Sequence, residues 1–189
     1  MGKTQKLQNL KAIAVLDPVD QDDAVEVVIE TPRNSRNKFK FDPKLGLFEL
    51  GSVLPAGSVF PYDFGFVPGT RAEDGDPIDV LLLMDSPAFP GCRVKARLIG
   101  VIEAEQTDKE GKERNDRLVA VALEAHDYRD LKSIKDICPN LLNELEQFFV
   151  SYNEVRGKRF KLLGHHGPKR AWKLLEKAMK RSKNGNGKK

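Results

Sequence analysis

The chain has 189 residues, 40% hydrophobic and 32% charged, with a net charge of +4. That suits one globular domain with a sizeable core. No stretch approaches the roughly 20 apolar residues of a membrane span, the N-terminus shows no apolar signal core, and the only cysteines are Cys92 and Cys138. Two cysteines are too few for a disulfide framework, so a reducing cytoplasm is the expected compartment.

Residues 1–22 are polar, with one candidate short turn around Leu10–Val15. Val25 to Glu30 reads as a strand, with Val25, Val27 and Ile29 on one face and Glu26 and Glu30 on the other; Thr31-Pro32 ends it. Arg33 to Lys40 is basic. Phe39 and Phe41 alternate with Lys38, Lys40 and Asp42, which predicts a second strand with one cationic face, suited to the oxygens of a polyanion. A hairpin-like run follows at Val53–Val59, then Phe60-Pro61-Tyr62-Asp63-Phe64-Gly65-Phe66.

Residues 73–85 carry the densest chemistry. Asp74, Asp76 and Asp79 crowd together, Gly75 and Pro77 make a tight turn, and the apolar run Ile78–Met84 reads as a buried strand. Carboxylates this close repel and raise one another's pKa unless a cation neutralises them. Hard oxygen ligands favour Mg²⁺, Mn²⁺ or Ca²⁺. An isolated Asp-Gly-Asp is more often a solvated turn, but the buried strand behind this one argues for a site. A calcium-binding EF-hand loop is excluded, because Ile78 and Asp79 stand where its fifth-position ligand and sixth-position glycine belong.

Val94–Glu105 is a long strand ending in acid. A polar loop with Gly111 leads to Asn115-Asp116-Arg117 and a further strand, Leu118–Leu123, so the two read as a hairpin. That pairing brings Glu105 and Asp116 to one end, within reach of one cation, with Asp108 in reserve; a solvated acidic loop is the bland alternative. Residues 136–153 read as a helix with Pro139 in its first turn. Leu141, Leu142, Leu145, Phe148, Phe149 and Tyr152 share its apolar face. A last helix spans 168–181, with Ala171, Trp172, Leu175, Ala178 and Met179 inward. His165 and His166 precede it; adjacent histidines point apart, so a role at the helix start outweighs a metal site. The basic tail, Lys180 to Lys189, lacks aromatics and reads as a solubilising end. There is no internal repeat, Walker loop, nucleophilic Ser or Cys motif, or CxxC.

Asp74-Gly75-Asp76-Pro77-Ile78-Asp79-Val80 resembles the signature of the family I soluble inorganic pyrophosphatases, Mg²⁺-dependent enzymes that hydrolyse pyrophosphate to two phosphates. The resemblance runs from about Val25 to Gly164. It implies an α+β, mainly β fold: an OB-like five-stranded antiparallel barrel with two flanking C-terminal helices. It implies a single domain over 1–189, with flexible ends near 1–8 and 182–189. A cytoplasmic homo-oligomer is expected, a hexamer by analogy with bacterial members, acting on pyrophosphate and not on nucleic acid or membrane.

By the same resemblance, Asp74, Asp79 and Asp116 hold metal, joined by Glu105, and Asp76 takes the proton of the attacking water. Lys38 and Arg117 grip phosphate, Tyr152 orients it, and Glu30 lies close to the cavity. Mg²⁺ is the implied cofactor, Mn²⁺ an alternative and Ca²⁺ an inhibitor. The chain also departs from the pattern. Lys40 replaces the usual Glu, which implies a weaker metal position or stronger phosphate affinity. Ser52 stands near the place of a phosphate-binding Arg. Phe60 and Phe64 correspond to two active-site tyrosines, Asn153 to a lysine, and Asn115 to a carboxylate. These losses keep open a non-catalytic phosphate- or metal-binding relative. The longer 106–115 loop keeps open another phosphoanhydride as substrate. A nucleic-acid-binding barrel is disfavoured by the acid-rich hairpin.

Overall fold

The computed structural model describes residues 13, 16–20, 24–109 and 111–186. Among them the chain order is β1 (Val25–Thr31), β2 (Asn37–Asp42), β3 (Leu47–Val53), β4 (Asp63–Phe66), β5 (Asp79–Leu83), β6 (Arg93–Asp108), β7 (Gly111–Arg114), β8 (Arg117–Ala122), α1 (Pro139–Val155), β9 (Arg159–His166) and α2 (Pro168–Asn186). The turn expected around Leu10–Val15 lies outside the described residues, Ile13 apart. No helix among the described residues is long and apolar enough to cross a membrane.

Strands β1, β4, β5, β8 and β6 pair in that order, and β6 pairs back to β1, closing a five-stranded ring. This is the expected mainly β, OB-like arrangement with one correction: β5 and β8 run parallel, with Asp79 level with Arg117. A parallel pair needs a crossover, and the β6–β7 hairpin supplies it. Both strands are apolar runs without alternation, as burial on two faces demands, and Val80–Leu83 and Leu118–Val121 are fully buried.

β6 is long enough to serve four neighbours. Its start pairs with β1, its middle with β8, and its far half with β9 and β7. Register shifts at Leu98/Gly100 and Glu103/Ala104 mark the bulges that bend it. Gly100 sits at one of them, where a Cβ would fall 2.6 Å from the His166 carbonyl. Strand β9 was not expected from the sequence. The hairpin expected at Val53–Val59 lies earlier, between β2 and β3. Its turn is fixed by the Asp42 Oδ1 atom, which accepts the Lys44 N–H at 2.7 Å, and by Gly46 at φ 67°.

Helix α1 starts at Pro139 because a capped 3-10 turn, Ile134–Asp136, precedes it. Leu142, Leu145, Phe149 and Asn153 are buried along it, flanked by half-buried Leu141, Phe148 and Tyr152. Helix α2 buries Ala171, Leu175 and Ala178 and runs past the expected end to Asn186. The rings of Phe60, Phe64, Phe148, Phe149, Tyr152 and Phe160 form one contacting cluster.

Candidate active site

A basin of about 670 Å³ opens where the ends of β1, β2, β5, β6, β8 and α1 converge. Asp79 opens β5 and is half-buried; the strand behind it points the carboxylate into the basin. Arg117 opens β8 directly across from it. The residue is 4% exposed, with its guanidinium carbon 4.3 Å from the Phe149 ring centre and 4.7 Å from that of Phe160. Nη1 donates to the Asn115 carbonyl at 3.0 Å, and Nη2 stands 4.0 Å from Asp79 Oδ2. Burial pushes the Asp79 carboxyl up, against the pull of Arg117 and Lys38.

The aspartate turn is tied down from both sides. The Asp76 N–H donates to Asp74 Oδ1 at 3.1 Å, Gly75 takes φ 91°, and Thr70 Oγ1 accepts the Ile78 N–H at 3.0 Å. Desolvation by the basin walls, with Asp79 and Asp76 adding their charge, pushes the Asp74 carboxyl up to about 6 against the Asp76 N–H bond. Glu30, 9% exposed, accepts the Phe41 N–H at 2.8 Å. Burial pushes its carboxyl up to about 7; that hydrogen bond, Lys38 and Lys40 oppose the rise, and Asp79 adds to it.

The pleat of β2 delivers both lysines. Lys38 Nζ stands over the rings of Phe64 at 5.4 Å and Tyr152 at 5.5 Å. Lys40 Nζ donates to Asp76 Oδ2 at 3.2 Å. The Tyr152 hydroxyl reaches the basin and accepts from Arg156 Nη1. Phe60 and Phe64 are 1% and 2% exposed, members of the core.

Gln106, Asp108, Glu113 and Asn115 form the facing wall. Asn115 Nδ2 donates to Gln106 Oε1 at 3.0 Å, Gln106 Nε2 to Glu113 Oε1 at 3.3 Å, and Lys158 lies 3.1 Å from Asp108. The structure therefore brings Glu30, Lys38, Lys40, Asp74, Asp76, Asp79, Arg117 and Tyr152 together, with Asp108. It does not bring Glu105 and Asp116 there. Glu105 turns to Lys112 at 2.6 Å. Asp116 Oδ1 accepts from Arg114 Nη2 at 2.8 Å and from the Ala104 N–H at 3.1 Å. The reason is strand parity: Gln106 and Asp108 face the basin, so Glu105, next before Gln106, faces away, and so does Asp116 between Asn115 and Arg117. Glu113 was missed, yet the same period-two count back from Arg117 through Asn115 would have found it. His165 and His166 close β9 rather than open α2. Their ring nitrogens lie 3.1 Å from Glu146 and 3.9 Å from Glu103 respectively, so they share no site.

The atoms that the basin offers a metal are carboxylate, amide and hydroxyl oxygens, a set that fits Mg²⁺-like ions rather than soft metals. Among the described residues, no three His, Cys, Asp or Glu side chains stand together as a ready cage.

Comparison with known proteins agrees with this geometry. The family model described as inorganic pyrophosphatase matches residues 27–183. An inorganic pyrophosphatase from Synechocystis is 37% identical over 84% of this chain and 92% of its own. One from Geobacillus stearothermophilus is 34% identical over 83% and 93%. The crystal structure of the inorganic pyrophosphatase from Thermus thermophilus superposes with a TM-score of 0.83 at 33% identity, covering 90% of this chain and 98% of that one. By its aspartate signature, its closed ring of strands and these matches across most of its length, the chain belongs to the inorganic pyrophosphatase family.

Proposed function

We propose that the basin hydrolyses inorganic pyrophosphate to two phosphates with Mg²⁺. The observation that carries this reading is the convergence of Asp74, Asp76 and Asp79 with Lys38, Arg117 and Tyr152 in one basin. Asp74 and Asp79 offer oxygens to the ion, with Glu30 behind them and Asp108 and Glu113 on the facing wall; Glu105 and Asp116 are occupied elsewhere. When bound, a hard divalent ion neutralises phosphate charge and lowers the pKa of water. Asp76, exposed at the turn, takes the proton of the attacking water. Lys38 and the rigid fork of Arg117 hold the phosphate oxygens as negative charge grows on the departing group. The Tyr152 hydroxyl orients it. Mn²⁺ substitutes, and Ca²⁺, larger and looser in coordination, inhibits.

The two free cysteines suit a reducing cytoplasm, and a homo-oligomer follows by analogy with bacterial members of the family. The test is phosphate release from pyrophosphate by the purified protein with and without Mg²⁺, together with a panel of other phosphoanhydrides. Release confined to pyrophosphate supports the assignment. A preference for a different phosphoanhydride overturns the substrate.

A further inference from the structure

The chain itself places several cations inside the basin. On the β1, β2, β5 and β8 side it holds four carboxylates, Glu30, Asp74, Asp76 and Asp79, and three cations, Lys38, Lys40 and Arg117. Two of those cations have fixed roles. Arg117 is buried against the Phe149 and Phe160 rings beside Asp79, and Lys38 rests over Phe64 and Tyr152. Lys40 is different. Its cross-strand neighbour on β3 is Glu49, yet its ammonium reaches over the basin and donates to Asp76 at 3.2 Å. Glu30 and Asp79 add to its field, so that carboxylates from β1, the aspartate turn and β5 all face one ammonium.

We propose that Lys40 is a resident cation of the basin, standing where a divalent ion would otherwise neutralise Asp76, so that the native chain holds one divalent ion fewer than its carboxylates would otherwise bind. This rests on reading the basin as a divalent-metal site. With all four carboxylates ionised, four against three cations leave a single uncompensated negative charge; removing Lys40 leaves two. The rest of the lining adds two carboxylates, Asp108 and Glu113, and two cations, Lys158 and Arg156, which leave that balance unchanged, and the Gln106 and Asn115 amides are neutral. A lone exposed Lys–Asp pair contributes little. This ammonium, however, is tethered to a paired strand, faces three carboxylates, and competes with any ion for the same oxygens.

The experiment counts metal rather than turnover. Isothermal titration with Mg²⁺, and Mn²⁺ titration followed by electron paramagnetic resonance, are run on the intact protein and on Lys40→Met, Lys40→Gln and Lys40→Arg. Thermal melting confirms that each variant folds. Lys40→Met and Lys40→Gln are expected to bind one more ion per chain, or to bind their weakest ion at least about tenfold more tightly. Lys40→Arg should match the native chain. Unchanged stoichiometry and affinity in the Met and Gln variants overturn the proposal. Pyrophosphate hydrolysis, measured separately on the native protein, tests the assigned reaction independently of this count.

Discussion

Arg117 shows how a single side chain joins fold to chemistry. Its guanidinium is buried, packed against two adjoining aromatic rings and set beside Asp79 at the basin. Lysine keeps the charge but neither the stacking plane nor the fork. Arg117→Lys is therefore expected to lower kcat/KM by about 10–100-fold while the protein stays folded, as read by steady-state phosphate release. Glu30 gives a second residue-scale prediction. Its carboxyl is raised to about 7 from an ordinary 4.5, so between those values the folded state binds more protons than the unfolded one. Stability from this group therefore falls as pH rises through that window. Glu30→Gln keeps the acceptor for the Phe41 N–H. In metal-free buffer it should raise stability at pH 8 by about 1–3 kcal/mol and have little effect at pH 4.5, measured by denaturant unfolding. At this scale the aspartate turn was legible because glycine, proline and an apolar run all constrained it. Glu105 and Asp116 do lie at one end of the strand pairing, as expected, but outside the basin, because the pleat turns neighbours to opposite faces.

The elements depend on close approaches that sequence patterns hide. At Gly65 on β4, a Cβ would lie 2.1 Å from the Val28 carbonyl of β1, and β1 carries Glu30 to the basin. Gly65→Ala forces those strands apart and should destabilise the protein by about 1–3 kcal/mol or more in a denaturant titration, with activity lost in step. Strands β1, β2 and β5 were readable because their alternation or apolar run was clean. β9 was not: its Arg-Phe-Lys-Leu-Leu-Gly-His-His buries only Phe160 among exposed and half-buried positions, and its partner among the described strands is the bent far half of β6. The parallel β5–β8 pairing was equally hidden, since an apolar run shows burial on two faces but not which neighbour lies beside it.

At the scale of the molecule, Glu103 binds the ring to its flanking helix. It accepts from Arg170 of α2 at 2.5 Å and from Arg114 of β7 at 2.5 Å, and Arg114 also holds Asp116 at 2.8 Å. The Arg170 hydrogen bonds, ahead of those from Arg114, hold its carboxyl down to about 2. That contribution is present above the ordinary 4.5 and is lost as pH falls toward 2, opposite in sign to Glu30. Arg170→Met should cost about 1–3 kcal/mol at neutral pH and nearly nothing near pH 2, read from unfolding midpoints. The ring, the two helices and this network serve one end, which is to hold the aspartate turn opposite Lys38, Arg117 and Tyr152. Phosphate release from pyrophosphate, followed in Mg²⁺, after chelation, and in Asp79→Asn, tests that most directly. The account predicts Mg²⁺-dependent release that chelation abolishes and that Asp79→Asn lowers by about 10²–10⁴-fold. Release that persists without divalent ions, or none at all from the native protein in saturating Mg²⁺, would contradict it.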